Sequence, residues 1–318
     1  MSANSWSPKM TSVDRRKLLG GAAAVSAMQL APRLTWAAAP TSHTFRLGEF
    51  EIGVFSDGHL TIPTRLLARN VPETDIKAWL GQTADMVSPA CNITLIRTPT
   101  ELVLIDVGAG PHFMPTAGKL AENMESAGMD RKTVTKVVLT HAHPDHLWGA
   151  LDDFDNEPMF PNASYAISAA EWNFWMAEDV ASRLPEDRQN FAPGAKRNLS
   201  RLKDKLRTIR PGEDIVGGIR AIDTSGHTPG HLSIEIASGR EAIVVLADAL
   251  THPTISFAHP EWMPAADHHD PERAVRTRKS LLDRLATDRS RAIGFHLPFP
   301  GIGFVERSGG AYRFVPSS

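Results

Sequence analysis

The densest chemistry in the chain lies in Val137-Val138-Leu139-Thr140-His141-Ala142-His143-Pro144-Asp145-His146. Three imidazoles and a carboxylate fall within six residues, directly after an apolar run. Side chains two apart on an extended segment point to the same side, so His141 and His143 can grip one metal ion. Pro144 turns the chain, and Asp145 and His146 can then face a second ion. Neutral imidazole and carboxylate suit zinc, manganese, iron or cobalt rather than a soft thiophilic ion. A solvated polar loop would not need four potential ligands packed at a strand end.

Two ions need further ligands, and His227, Asp248 and His296 each stand at the end of an apolar run. His227 lies in Gly226-His227-Thr228-Pro229-Gly230-His231, after Ile219–Ile222. Asp248 ends Ile243–Ala247, and His296 ends Ala292–Phe295. Strand ends are where α/β-type folds place their chemistry. Taken singly, each has a bland alternative as a hydrogen-bonded buried His or a turn-forming Asp. Two ions about 3.5–4 Å apart share a water and bring its pKa near neutrality. The expected reaction is therefore hydrolysis by a hydroxide that bridges two divalent ions, zinc first among the candidates. Asp145 and Asp248 are its catalytic carboxylates. Asp145 need not be a separate base, because the ions have already generated the hydroxide.

The elements that must position these residues are legible from short apolar or alternating runs bounded by Gly, Pro or Thr. Strands are predicted at Phe45–Phe55, Ile93–Arg97, Leu102–Val107, Val134–Leu139, Ser164–Ile167, Ile219–Ile222, Leu232–Ile236, Ile243–Ala247 and Ala292–Phe295. Helices are predicted at Pro115–Ala127, Ala169–Asp179 and Asp270–Ala286. The last begins with Asp270 as N-cap, Pro271 at the first position and Glu272 at the positive end of the dipole. Val275, Leu281, Leu282 and Leu285 give it an apolar stripe. Strands and helices do not alternate in a strict βαβ rhythm, which fits two sheet layers covered by helices.

Of 318 residues, 42% are hydrophobic and 22% charged, which allows a substantial core. A net charge of -2 points away from nucleic acid and from anionic membranes. The single cysteine, Cys91, cannot form an intramolecular disulfide, and it reads as a buried structural residue rather than part of a thiolate metal site. The N-terminal segment reads as a leader. Arg15-Arg16 precede a weakly apolar run, Leu18–Leu30, and Ala37-Ala38-Ala39 offers a cleavage site before Pro40. It resembles a twin-arginine signal, although Asp14 and Leu18 depart from the usual residues. The run is too short and too rich in Gly and Ala to span a bilayer, so no stable membrane insertion is expected after its removal. Residues 1–39 are thus read as an export signal, with a periplasmic or secreted destination, and residues 40–318 as one domain.

The order His-x-His-x-Asp-His, Gly-His-Thr-Pro-Gly-His, strand-end Asp and late strand-end His resembles the metallo-β-lactamase superfamily from about residue 45 to residue 300. Within it the chain looks closest to methyl parathion hydrolase-like organophosphate hydrolases. Leu104–Ala109, His296–Gly303 and Tyr312–Pro316 carry that likeness. The resemblance implies an α+β fold, a four-layer αββα sandwich. It assigns His141, His143 and His227 to one metal, Asp145, His146 and His296 to the other, and Asp248 to both. Asp106 and His231 would orient ligands. Homodimers are implied by the same likeness.

The substrate expected from these features is a small, neutral, hydrophobic ester, with a phosphotriester ranked first. Phe113, Trp175 and Phe191 fall at positions matching the aromatic leaving-group pocket of the organophosphate hydrolases, and ordinary core packing is the alternative for each. Acyl-homoserine lactonases share the ligand pattern but carry a Tyr three residues after the bridging Asp, where this chain has Thr251. Lactone or aryl-ester hydrolysis is the second reading. A non-hydrolytic metal-binding protein or an iron oxygenase is a third. Oxygen-reducing diiron relatives use a Glu where this chain has His143. His252, His259, His268 and His269 are expected at the surface or at the pocket mouth.

Overall fold

The computed structural model describes residue 1, residues 40–81 and residues 83–317. Apart from Met1, the expected leader lies outside the described residues. Residues Pro40–Ser318 form one compact unit.

Two seven-stranded sheets organise this unit. The first runs in chain order: β1 (Ser42–Leu47), β2 (Phe50–His59), β3 (Ala90–Arg97), β4 (Leu102–Ile105), β5 (Lys136–Leu139), β6 (Ser164–Ser168) and β7 (Leu206–Ile209). Pairing is antiparallel through β4 and parallel from β4 to β7. The second sheet is β8 (Asp214–Val216), β9 (Ile219–Asp223), β10 (Leu232–Ser238), β11 (Glu241–Ala247), β12 (Arg291–Gly294), β13 (Ile302–Ser308) and β14 (Ala311–Pro316). Only β11 and β12 pair in parallel there.

Strand alternation explains the layering. Val103 and Ile105 of β4, Val138 of β5, and Ile243 and Val245 of β11 enter one core between the sheets. Their neighbours Leu102, Leu104, Val137 and Leu139 face a second core on the outer side of the first sheet. Val244 and Leu246 face a third core outside the second sheet. A period of two sends successive side chains to opposite faces, so strands apolar on both faces must be covered twice. The α-helices of the described residues are α1 (Glu73–Leu80), α2 (Leu120–Ser126), α3 (Pro144–Leu147), α4 (Ala169–Met176), α5 (Phe191–Leu202), α6 (Ile255–Ala258) and α7 (Pro271–Asp288), of which α4 and α5 contribute to the second core. Helix α7 lays Leu281, Leu282 and Leu285 on the third. The result is the αββα sandwich.

Two boundaries differ plainly from the sequence expectation, and so does one helix face. The single strand expected over Phe45–Phe55 is a hairpin, broken where Gly48 adopts φ 56°. The helix expected from Pro115 begins at Leu120 instead. The buried Asp57 carboxylate accepts the Leu120 and Ala109 N–H groups at 2.8 Å and holds the preceding residues as a loop. In α7, Asp270 caps Arg273 N as expected, but Arg278 shares the buried face with the leucines. Helix α5 and strands β7, β8, β13 and β14 were not anticipated.

The loop carrying His227 is clamped to α7. Gly226 sits at φ 131°, and a Cβ there would lie 2.3 Å from Ala274 N. Gly226→Ala is expected to cost roughly 1–3 kcal/mol, from backbone strain plus that clash. Urea unfolding checks it, and a midpoint unchanged from wild type would show that the loop tolerates displacement.

Candidate metal centre

All seven expected ligand positions are buried, and they converge from both sheets. His141, His143, Asp145 and His146 follow β5 of the first sheet. His227, Asp248 and His296 follow β9, β11 and β12 of the second. Two groups form. In one, His143 Nδ1 lies 3.1 Å from His141 Nε2 and 2.9 Å from His227 Nε2, while Asp248 Oδ2 lies 3.3 Å from His227 Nε2. In the other, Asp248 Oδ1 lies 3.1 Å from His146 Nε2 and 3.4 Å from His296 Nε2. Asp145 Oδ2 is 3.3 Å from that His296 nitrogen. Asp248 thus turns one oxygen to each group.

The donor set fits divalent metal. His146 Nε2 and Asp248 Oδ1 are buried and, although 3.1 Å apart, are not aligned for a hydrogen bond to each other or to any other described residue. Burial, followed by neighbouring histidines, pulls the His141 and His143 pKa values well below the ordinary value, so both are neutral. Neutral nitrogens crowded at such distances can share few protons, whereas an ion satisfies them all.

Three of the imidazoles are aimed by their other nitrogen. His146 Nδ1 is 2.8 Å from Asp106 Oδ2, His227 Nδ1 is 2.8 Å from Asp267 Oδ1, and His296 Nδ1 is 2.8 Å from Ala90 O. Such contacts set ring orientation and tautomer. Asp106 also accepts Thr140 N and Thr140 Oγ1, each at 2.7 Å, which ties it to the strand end before His141. His231 accepts Asp248 N at 3.0 Å through Nε2 and so places the shared carboxylate. Ala247 adopts φ 46°, a left-handed conformation that glycine would take without strain.

Three further residues escaped the sequence reading. Asp267 is fully buried between His227 and the Arg278 guanidinium, which is 2.5 Å from Asp267 Oδ2. Arg278 also donates to the carbonyls of Ala249, Pro260 and Trp262. Glu171 accepts Ala142 N at 3.0 Å and Gly230 N at 2.9 Å, so one carboxylate pins both histidine motifs. The only available signal was an acid among the histidines at 266–270 and a lone Glu in an apolar helix.

A cavity of about 300 Å³ opens onto His143, Asp145, Asp248 and His296. Phe113, Phe191 and Thr251 line it, together with Leu60, Ile62 and Leu67. Trp175 does not, and its expected pocket role is corrected: it is fully buried, and its Nε1 donates to Glu171 at 2.6 Å. Helix α4 turns Trp175 into the core, where its indole supports the carboxylate that pins the motifs. Cys91 is buried as expected, yet it is not remote from the centre, because its sulfur lies within 4.8 Å of atoms of Asp145 and His296. Burial pushes its thiol up to about 12, which keeps it neutral in the metal-free protein. His252, His259 and His268 are half-buried, and His269 is exposed.

The family model described as the metallo-beta-lactamase superfamily matches residues 89–290, and the chain belongs to that superfamily. It is a metal-dependent hydrolase of that fold. Among solved structures, it is similar to AidC, a dizinc quorum-quenching lactonase in complex with a product, N-hexanoyl-L-homoserine. Identity is 30%, coverage is 88% of this chain and 99% of AidC, and the TM-score is 0.82. The hydrolase AbOPH matches at 29% identity over 88% of this chain and 98% of its own, also with a TM-score of 0.82. YobT of Bacillus subtilis (strain 168) is 27% identical over 200 residues, 61% of this chain and 78% of YobT. The likeness to lactonases does not support the expected closeness to methyl parathion hydrolase.

In the metal-free protein, burial opposes a charge on His146, but the carboxylates of Asp248, Asp145 and Asp106 outweigh it and raise the pKa to about 10. His296 is likewise held well above the ordinary value, burial being outweighed by Asp248 and Asp145. Both are therefore protonated at pH 7. A raised folded-state pKa stabilises the metal-free fold below the unfolded value and loses that contribution as pH climbs through the folded value. Metal must displace these protons. Zinc binding at pH 7 is expected to release about two protons, with affinity rising about a hundredfold per pH unit below the lower of the two pKa values. Calorimetry in buffers of different ionisation enthalpy reads the count, and zero release would refute it.

Proposed function

We propose that the chain hydrolyses a small lactone or carboxylic ester at a two-metal centre, with zinc as the ion. The observation that carries this reading is Asp248, whose two oxygens face two separate histidine groups on the floor of an apolar cavity. His141, His143 and His227 would hold one ion, and Asp145, His146 and His296 the other. Bound divalent ions supply Lewis acidity, lowering the pKa of water and polarising the ester oxygen. The protein's own groups do the rest. Asp106, Asp267 and the Ala90 carbonyl fix the imidazoles, so the site needs no rearrangement during reaction. Asp145 lines the cavity, where its carboxylate can carry a proton from the attacking water to the leaving oxygen, a role the sequence reading did not require of it. Phe113 and Phe191 hold the apolar part of the substrate away from water.

The likeness to a quorum-quenching lactonase over 88% of the chain supports placing lactones ahead of phosphotriesters, which reverses the order expected from sequence. Export is a separate proposal, carried by Arg15-Arg16 and Ala37-Ala38-Ala39.

Zinc-loaded protein should hydrolyse p-nitrophenyl acetate and an acyl-homoserine lactone faster than methyl parathion. Asp248→Ala should lower each rate by more than about a thousandfold, and chelation followed by zinc should abolish and restore it. Turnover of methyl parathion well above the lactone would reverse the substrate order, and no turnover of any ester would sink the hydrolytic reading. For export, N-terminal sequencing of protein secreted by a bacterial host should find Pro40 first, whereas retention of residues 1–39 would contradict cleavage.

A further inference from the structure

Two charged side chains that line the cavity, Asp187 and Arg188, are unaccounted for by metal binding, and of these Asp187 is exposed while Arg188 is half-buried. Arg188 lines the cavity together with His143, Asp145, Asp248 and His296. It ends a short 3-10 turn, Glu186–Arg188, just before helix α5. Its guanidinium lies over the Phe191 ring, 5.7 Å from the centroid, so one face is packed against an aromatic wall. No hydrogen bond or ion pair to a described residue satisfies that guanidinium. Burial lowers its pKa, while the carboxylates of Asp187, Asp145 and Asp267 act in the opposite direction from a distance. Arginine nevertheless stays charged in proteins.

This is an unusual place for an unpaired cation. The lining around it includes the apolar side chains of Leu60, Ile62 and Leu67. A guanidinium that loses part of its hydration without gaining a partner is destabilised, and a ligand oxygen would remove that penalty. Another arginine near the centre, Arg278, is buried and spends four of its five N–H donors on Asp267 and three carbonyls. Arg188 differs from it in facing the cavity.

We propose that Arg188 is a specificity residue: its guanidinium binds a second oxygen function of the substrate, an amide carbonyl or a carboxylate, while the scissile ester sits over Asp145, Asp248 and His296. The inference rests on the hydrolytic reading above and narrows its substrate. A plain hydrophobic ester would use the floor and the aromatic wall alone. A substrate carrying a second acceptor would engage both ends of the cavity, and the planar fork of Arg suits either acceptor. Lysine, a point charge, would keep some attraction for a carboxylate and little for an amide.

Three p-nitrophenyl esters with the same leaving group test this on the zinc-loaded enzyme: the hexanoate, the N-acetyl-4-aminobutyrate, which adds an amide, and the mono-adipate, which adds a carboxylate. Arg188→Met should lower kcat/KM about tenfold to a hundredfold for the ester whose acceptor Arg188 binds, and change the hexanoate less than about twofold. Whether the amide or the carboxylate ester responds identifies the acceptor. Arg188→Lys should recover part of a carboxylate effect but not an amide effect. Equal losses on all three esters, or no loss on any, would overturn the proposal. A second readout needs no turnover. Dicarboxylates of four, six and eight carbons are titrated into the zinc-loaded protein beside monocarboxylates of matched length. A preference for a dicarboxylate that disappears in Arg188→Met supports the site. Its absence, together with unselective kinetics, refutes it. A wild type that hydrolyses none of the esters yet shows this preference would overturn the hydrolytic reading while leaving Arg188 as a binding residue.

Discussion

The two sheets meet chemically at one carboxylate. Asp248 ends a strand of the second sheet, and one of its oxygens approaches His146, which is carried by the first. A buried carboxylate in that position is costly without charge to balance it. His146 and His296 supply that charge as imidazolium in the metal-free protein, and divalent ions would supply it in the loaded one. The rest of the centre is arranged to keep this carboxylate in place. His231 receives its backbone N–H, and Ala247 adopts a left-handed conformation to turn it out of the strand. That backbone geometry costs about 1–3 kcal/mol and persists only because the surrounding strands over-determine it.

Around this point, rigidity comes from buried acids rather than from the metal-site residues alone. Asp106 links His146 to the end of β5. Glu171 ties the two histidine motifs together, and Trp175 in turn completes Glu171. Asp267 joins His227 to Arg278, and Arg278 spans to three carbonyls of the segment 249–262. Each of these acids is buried with its oxygens occupied, the condition under which a polar network stiffens a site instead of destabilising the fold. The expectation that Trp175 contacts substrate failed for this reason: its indole N–H was already committed to Glu171.

The cavity combines an apolar wall with two different attractions for oxygen. Its floor holds the metal-site residues, and Arg188 stands on the wall beside Phe191. An expectation of a purely neutral, hydrophobic substrate follows from counting aromatic residues. The unpaired guanidinium argues for a substrate that is apolar in one part and oxygen-rich in another.

The seven positions of the centre were legible in the sequence because each is local. A ligand at a strand end announces itself by the apolar run before it, and the period of two places His141 and His143 on one side. The layering was legible for the same reason, since strands such as Leu102–Ile105 and Ile243–Ala247 are apolar on both faces and need two covers. The pairing of the positions into two groups, and the sharing of Asp248 between them, came from the family resemblance and from no local pattern, because packing decides them. His143 and His227 are 84 positions apart, and nothing in either local pattern says that their nitrogens meet. Asp267, Glu171 and Arg278 were invisible because a buried acid or arginine looks like a surface residue until its partners are known. Arg188 was invisible for the opposite reason. Its meaning lies in the absence of a partner inside a cavity, and only the tertiary structure creates that cavity.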